Sequence, residues 1–436
     1  MRYLVPMIVL TSALLLLDAY VYLTWKTVAR HWNRLRWTLR VYRVLMFVMP
    51  FTLPLYLNLY SWWEVEPRLA RALFFSLWAL YYLPKVPIVA VLLAKDAFRL
   101  LQRLGRGMAV DRGAGESLVR EIAGKDSVTP STGASSTVED APDMTRGEFL
   151  QRLGWSAAAM PFILTGYGVY RTVYDFAVRQ VDVSVAGLPR AFEGLRIAQL
   201  SDLHAGSLFS ERPMRDAVAI VNELRPDLIA LTGDYVNHDT AEMARVLPAM
   251  HDMHAEVGIF GCLGNHDHYA DTDHLVAQLR ETPVDLLVNT HRTLEVDGAL
   301  LHVIGTDNTG FRQHYGDLPR AVEGIPAREG ADRENAQILL AHDPTFWDLE
   351  VRPDYADIDL MLCGHTHGGQ FGFEFGPIRW SLAQLRYERW GGLYSEPRAD
   401  GRGSQFLYVN RGLGTVGPPL RLGIRPEITL LTLRRA

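Results

Sequence analysis

Five short segments concentrate side chains that can bind cations or move protons. They are QLSDLHAG with Asp202 and His204, LTGDYVNH with Asp234, LGNHDHY with Asn265 and His266, LAHDPT with His342, and LCGHTHGGQ with His365 and His367. In extended backbone, residues two apart point to the same side, so Asp202 and His204 can reach one ion together. His365 and His367 share that spacing and can meet one ion, or one each if the loop turns. Asp234 follows Gly233, and a carboxylate has two oxygens, enough to bridge two cations. Asn265 offers a neutral carbonyl oxygen. Imidazole, carboxylate and amide together suit Mn, Fe, Zn, Co or Ni, whereas a structural zinc site would bring thiolates. The seven candidate ligands Asp202, His204, Asp234, Asn265, His342, His365 and His367 are too many for one tetrahedral ion and enough for two.

Glycines flank these residues at Gly206, Gly233, Gly264, Gly364, Gly368 and Gly369, where backbone must turn sharply or approach an ion or phosphate closely. Taken singly, each glycine is ordinary loop punctuation, and a lone Asp-x-His is equally uninformative. Five segments in one order, each behind an apolar run, say much more. His238, His251, His254, His268, His274, His291, His302 and His314 lack such pairing, so surface or core roles are their default. Of these, His238 and His268 lie nearest the site segments and could touch substrate.

The elements that position the segments are short apolar runs of strand length. They are Leu195–Leu200, Leu228–Leu231, Val257–Leu263, Leu301–Ile304, Gln337–Ala341 and Ile358–Cys363, then Phe406–Val409 and Ile428–Leu433. Helix-like stretches intervene at Pro213–Leu224, with proline in the first turn, and at Thr240–Met253. Alternation of this kind predicts an α/β layered fold with its site beyond the carboxyl ends of the strands. Cys262 and Cys363 each sit in such a run and read as buried small hydrophobes; a bridge or a thiolate ligand is the other option.

The series DLH, GD, GNHD, H and GHTH resembles the calcineurin-like metallophosphoesterase superfamily over about residues 180–436. It is most similar to the membrane-associated bacterial branch that includes the YkuE-like phosphoesterases and certain UDP-diacylglucosamine hydrolases. The resemblance implies a four-layer α-β-β-α double-sheet sandwich and two divalent metal ions, Mn2+ foremost, with Zn2+, Fe or others as options. By matching positions, Asp202, His204, Asp234 and His367 would bind the first ion, and Asp234, Asn265, His342 and His365 the second. His266 would be the non-ligand catalytic histidine facing the leaving group, oriented by an acidic neighbour for which Asp267 is the candidate. The implied activity is phosphoester hydrolysis by attack of a metal-bridging hydroxide.

The first part of the chain is of another kind. Apolar runs at Tyr3–Trp25, Val44–Trp63 and Ala72–Ala94 are each long enough to cross a bilayer core, and their only charges are Asp18 and Lys85. Basic residues from Lys26 to Arg43 and from Lys95 to Arg106 place both flanking segments in the cytoplasm and the amino terminus outside. The expected organisation is three transmembrane helices in 1–100, a flexible linker with a basic start in 101–150, a fourth membrane or interfacial helix in 151–178, and the catalytic domain in 179–436. The fourth segment resembles the apolar stretch of a twin-arginine export signal, with Gly147 where a second arginine would stand. If it spans, the catalytic domain is extracytoplasmic.

A formal net charge of −5 gives no pointer to nucleic acid. The expected partners are the lipid bilayer and a phosphoester, lipid-linked or from the cell envelope, with no obligate protein partner implied. Aromatic residues and Arg379, Arg386 and Arg389 in Phe371–Leu393 could hold an acyl chain and an anionic head group, or merely pack beneath a loop. A phosphomonoester or nucleotide hydrolase, and an inactive metal-binding sensor or scaffold, are the alternatives. A transporter would need more spans and more buried charge.

Overall fold

A computed structural model describes residues 4–29, 36–60, 68–110 and 160–436, the last apart from 161, 169–170, 209, 311–312, 327–334, 377, 399–400, 402 and 418. The chain divides into two compact units, Met1–Val65 with Trp78–Thr165, and Glu66–Leu77 with Gly166–Ala436.

Helices α1 (Leu4–Ala29), α2 (Arg36–Tyr60), α3 (Arg68–Tyr82) and α4 (Lys85–Val110) account for the apolar start of the chain. Among the described residues, three stretches are long and apolar enough to cross a membrane: Met7–Thr27, Trp37–Tyr56 and Leu77–Gln102. The third apolar run, expected as one continuous helix, contains a turn at Leu83–Pro84. Proline brings no N–H and forces the residue before it away from helical geometry, so α3 stops and α4 starts afresh. Of the expected linker, residues 101–110 continue α4, and residues 111–150 lie outside the described set. Within 151–178, residues 162–168 are helical and Ala177 already begins a strand.

The two charges in the apolar runs find each other. Lys85 Nζ lies 2.5 Å from Asp18 Oδ1, and both side chains are buried. The hydroxyls of Tyr42, Tyr81 and Tyr82 donate to the same carboxylate at 2.9, 3.3 and 3.3 Å. The Lys85 ammonium also sits 3.0 Å from the Tyr81 ring centroid. Buried charges persist only when paired and hydrogen-bonded, and here one carboxylate ties α1 to α2, α3 and α4. Losing one partner strands the other. Lys85→Met should therefore destabilise the detergent-solubilised chain by about 3 kcal/mol, with Asp18→Asn/Lys85→Met recovering much of the loss. Thermal unfolding of the four variants checks this; additive losses would mean the pair is not coupled.

The second unit holds two six-stranded sheets. Along the chain run β1 (Ala177–Val185), β2 (Arg196–Leu200), β3 (Leu228–Thr232), β4 (Gly258–Cys262), β5 (Asp285–Leu286), β6 (Thr290–Val296) and β7 (Ala299–Gly305). After a small ribbon, β8 (Thr309–Gly310) with β9 (Gln313–His314), come β10 (Asn335–Leu340) and β11 (Leu360–Cys363). A second ribbon, β12 (Gly372–Phe375) with β13 (Ile378–Ser381), precedes β14 (Gly392–Pro397), β15 (Ser404–Val409) and β16 (Glu427–Arg435). The sheet orders are β1-β16-β2-β3-β4-β5 and β14-β15-β11-β10-β7-β6. Both are parallel at the centre. Antiparallel pairs occur where β16 meets β2, β14 meets β15 and β6 meets β7.

Alternation along the strands explains the layering. Ile197, Leu228, Ala230, Phe260, Ile338, Leu340, Leu360 and Leu362 point between the sheets and form one buried core. Their neighbours Ala198, Ile229, Leu231 and Ile259 face the opposite way, under the helices Arg212–Glu223 and Thr272–Arg280. Leu339, Met361, Cys363, Leu407 and Val409 do the same on the other sheet, packing on Phe346, Trp347 and Val351. Two sheets with period-two side chains and three apolar layers give the expected α-β-β-α sandwich. Cys262 belongs to the inter-sheet core and Cys363 to an outer layer, and both are free and buried. They are core residues. The expected helix over Thr240–Met253 is two short pieces, a 3-10 stretch Thr240–Arg245 and a helical turn Leu247–Met250 with Pro248 at its start.

Candidate metal centre

All five ligand segments leave the carboxyl ends of neighbouring strands. Asp202 and His204 follow β2, Asp234 follows β3, and Asn265 and His266 follow β4, all in the first sheet. His342 follows β10, and His365 and His367 follow β11, in the second. The strands end at one rim of the sandwich, where cross-sheet bonds lock the two sheets together. Gln199 Nε2 donates to Thr232 Oγ1 of its own sheet at 3.1 Å and across to the Cys363 carbonyl of the other at 2.9 Å. His342 Nδ1 donates to the Thr232 carbonyl at 2.7 Å, which turns Nε2 inward.

Three groupings of acid and imidazole form there, each with its ligand atoms within 4.8 Å of one another: Asp202–His204–His367, His204–Asp234–His266 and Asp234–His342–His365. Asp234 Oδ2 is 3.0 Å from His342 Nε2 and 3.5 Å from His204 Nε2. Asp202 Oδ1 is 3.2 Å from His367 Nε2, which in turn is 3.0 Å from His204 Nε2. Two ring nitrogens and a carboxylate oxygen aimed at one point make a pattern that a shared cation satisfies. Asn265 fits as well. Its Nδ2 donates to the Tyr269 hydroxyl at 3.1 Å, leaving Oδ1 buried and without a hydrogen-bond partner among the described residues. The donor set therefore suits two cations with Asp234 between them: six of the seven residues expected from the sequence fall in these groupings, and Asn265 stands next to His266 in the chain with its Oδ1 buried.

Backbone geometry at these positions is unusual. Asp202, His204, Asp234, His365 and His367 all have positive φ, between 41° and 69°. Side chains other than glycine's rarely adopt this region, and they do so where surrounding structure over-determines it. At Asp234 that constraint comes in part from Asp267. Expected to orient His266, it instead accepts backbone N–H bonds from Gly264 at 2.8 Å, Asp234 at 3.0 Å and Tyr235 at 2.8 Å. His266 is oriented by the Asn237 carbonyl, 2.7 Å from Nδ1. The loops also touch directly: a Cβ on Gly264 would lie 2.3 Å from Asp234 Oδ1, and one on Gly364 2.2 Å from Asp202 Oδ2. Only glycine lets these backbones approach so closely.

A cleft of about 310 Å³ opens on the centre, lined by Asp234, His266, His365, His367, Gln370 and Tyr387 among others. Tyr387 was not foreseen; its hydroxyl is 3.0 Å from His365 Nε2. His238 stacks near His266 and Tyr269, with ring centroids 5.5 and 6.1 Å away. His268 is engaged elsewhere, 2.6 Å from Asp307 and stacked on Tyr315. Arg421 is fully buried, and its guanidinium donates to the carbonyls of Arg411, Gly412 and Gly414 at 2.9, 3.1 and 2.6 Å beside His367. Burial lowers Arg421 to about 10, still charged at neutral pH.

The electrostatics leave most ligands ready for a cation. Burial opposes ionisation of Asp202 and Asp234, but the imidazoles of His367 and His342 overcome it and hold both carboxyls below their ordinary range. Burial keeps His204 neutral. Burial also disfavours a charged His342, yet the adjoining Asp234 wins and raises it to about 10. Burial and the Asp234 charge push Asp267 up to about 7, against the N–H bonds that favour its ionised form.

Two family models match the chain. One is a 4TM phosphoesterase model described as "Probable Calcineurin-like phosphoesterase, transmembrane domain", over residues 1–173; the other is "Calcineurin-like phosphoesterase", over residues 195–369. Fold and donor set thus define a metallophosphoesterase built onto a membrane region. The chain belongs to the calcineurin-like phosphoesterase family. It is 31% identical over 301 residues to the metallophosphoesterase YkuE of Bacillus subtilis, covering 67% of this chain and 98% of that one. It is 28% identical over 392 residues to the transmembrane protein with metallophosphoesterase domain of Danio rerio, covering 87% of this chain and 77% of that one. To the phosphodiesterase YaeI of Escherichia coli it is 32% identical over 250 residues, covering 55% of this chain and 82% of that one.

His342 sets a pH dependence. Its raised value means it holds a proton at neutral pH, and an imidazole must be neutral to bind a cation. Adding Mn2+ to the metal-stripped chain between pH 7 and 9 should release about one proton, and affinity should rise roughly tenfold per pH unit. Calorimetry in buffers of different ionisation enthalpy measures the release; none at pH 7.5 would place the proton elsewhere.

Proposed function

We propose that the protein is a membrane-anchored dinuclear phosphodiesterase acting on a lipid-linked or cell-envelope phosphodiester outside the cytoplasm. The observation that carries this reading is the sharing of Asp234 between two clusters of imidazoles contributed by different sheets. In this reading Asp202, His204, Asp234 and His367 hold one cation, and Asp234, Asn265, His342 and His365 hold the other. Such a pair supplies Lewis-acid charge and a water of lowered pKa.

The chain's own groups do the rest. Asn265, tethered through Nδ2 to Tyr269, keeps its carbonyl oxygen fixed. His266 is held through Nδ1 by the Asn237 carbonyl and lines the cleft, so its other nitrogen is the one presented to substrate. Protonated there, it gives a proton to the departing ester oxygen, a task worth typically about 10²–10⁴-fold. Tyr387 and Val416 give the cleft an apolar side suited to a substituted ester rather than a bare phosphate. The name of the related YaeI, a phosphodiesterase, supports a diester.

His266→Ala should lose about 10²–10⁴-fold in turnover of bis-p-nitrophenyl phosphate with Mn2+ while keeping its bound metal. Asp234→Asn should lose both activity and metal. Metal analysis beside the assay separates the two, and parallel loss of metal in His266→Ala would make that residue a ligand.

The sidedness follows from the basic segments and from a fourth crossing before Ala177, which the match to a 4TM model over residues 1–173 supports. Glu295→Cys, on exposed β6, should react with a membrane-impermeant maleimide in intact cells. Labelling only after lysis would put the catalytic unit in the cytoplasm.

A further inference from the structure

We propose that the β12–β13 ribbon docks its aromatic face into the lipid headgroup layer, so that the metal cleft works at the membrane surface. Phe373 pairs with Trp380 and Phe375 with Ile378, while Glu374 pairs with Arg379 between them. Cross-strand partners share a face and successive residues alternate. The ribbon therefore has one apolar face, Phe373, Phe375, Ile378 and Trp380, continued by Phe371, and one charged face.

The charged face is fastened to the body of the unit. Glu374 pairs with Arg411 at 2.6 Å and with Arg179, and Arg379 donates to the Gly391 carbonyl at 2.9 Å. With that side committed, the apolar side is left to the outside. Phe375 is 73% exposed, Ile378 66%, and Leu385, just beyond the ribbon, 81%. Phe373 and Trp380 stack on each other, with centroids 6.1 Å apart. A contiguous apolar patch of this kind marks an interaction surface rather than ordinary scatter.

Four observations select lipid as the occupant. The chain is already a membrane protein, so a bilayer is always within reach. Phe371 bridges to Leu422 and Gly423, and Gly168, the last residue of the helical stretch 162–168, packs against Leu420 and Leu422. The patch thus adjoins the point where the chain enters the unit from its apolar segment. Exposed Arg386 stands beside Leu385, a cation at the rim of the patch that suits anionic headgroups. Trp with Phe and Ile is also the composition that interfacial segments favour.

The ribbon lies between His367 and Tyr387 in sequence, and Gln370, immediately before Phe371, lines the cleft. Seating the ribbon in headgroups would bring the cleft to the depth of a lipid-linked phosphate. The proposal rests on the phosphoesterase reading for its purpose but not for its geometry, so the two can fail separately.

The test uses the full chain in phosphatidylethanolamine–phosphatidylglycerol nanodiscs. An environment-sensitive NBD label is placed at Phe375→Cys or, as control, at Glu295→Cys; native Cys262 and Cys363 are buried. We expect the Phe375→Cys label to be blue-shifted and quenched by doxyl-labelled lipid, and the control to be neither. A water-like, unquenched spectrum at Phe375→Cys overturns the proposal. So does a blue shift without lipid quenching, which would mean that protein, such as a second copy, covers the ribbon. Phe375→Ser/Ile378→Ser should lower quenching of a label at Leu385→Cys by about tenfold, while hydrolysis of bis-p-nitrophenyl phosphate stays within about twofold. Unchanged quenching in that variant overturns the proposal, whereas lipid quenching without any hydrolysis would sink the enzymatic reading alone.

Discussion

One carboxylate sits on the seam between the two sheets, and the site is arranged around it. Asp234 leaves β3 of the first sheet, yet its Oδ2 meets His342 of the second at 3.0 Å as well as His204 of its own at 3.5 Å. Its other oxygen accepts the His266 N–H at 2.8 Å. A fully buried carboxylate with this many claims on it must be held in one place, and the means are visible. Asp234 stands in a left-handed conformation after Gly233, its N–H is bound by Asp267, and Gly264 passes close against its side chain. Strained backbone of this sort costs of order 1–3 kcal/mol per residue, so it survives only inside a well-braced sandwich. The large inter-sheet core is thus part of the site's chemistry, because it braces the rim where the ligands stand.

What could be read in the sequence was whatever depended on local pattern. The eight apolar runs are all strands, and every expected ligand follows one, because buried parallel strands need uninterrupted apolar residues and their ends are where polar groups can gather. The strands that escaped notice are of another type. In β1, exposed and buried residues alternate, and its sequence AVRQVDVSV mixes charges with valines, as an edge strand's does. Its partner, β16, comes from the far end of the chain, a long-range pairing that no local window reveals. Main-chain roles were equally hidden. That Asp267 would brace three backbone amides, and that the Asn237 carbonyl would orient His266, depends on how loops close rather than on residue type.

Isolated features in the apolar and aromatic stretches became legible only as pairs. Asp18 and Lys85 each look like a blemish in a membrane-spanning run, and together they are a shared anchor with three tyrosine hydroxyls. A charge in such a run is tolerable only with a partner, so two lone charges of opposite sign were a signal of helix–helix contact. The arginines of Phe371–Leu393 divide in the same way. Arg389 is tied to Asp348 and Glu396, and Arg379 to a carbonyl, whereas Arg386 is exposed. Composition could not make that division, since it rests on which partners the fold brings to each: Arg379 stands on β13, while Arg386 and Arg389 lie in the non-strand stretch that follows.

Arg421 also links the entry segment of this unit to the residues expected to hold the metal. Arg421 spends its guanidinium on the carbonyls of Arg411, Gly412 and Gly414, the loop that folds over Asp202. Leu413 and Gly414 of that loop donate their amides to the Ser201 and Asp202 carbonyls, and His367 lies against the same guanidinium. The Arg421 carbonyl, in turn, accepts the Thr172 hydroxyl, and Gly168 packs beneath Leu420 and Leu422. A buried guanidinium is costly to desolvate, and satisfying it with main-chain oxygens fixes the path of that loop. The last residues before β1 are therefore not a loose tether. They rest on the same loop that shapes one side of the metal centre, so the geometry at Asp202 and His367 depends on how that segment is seated.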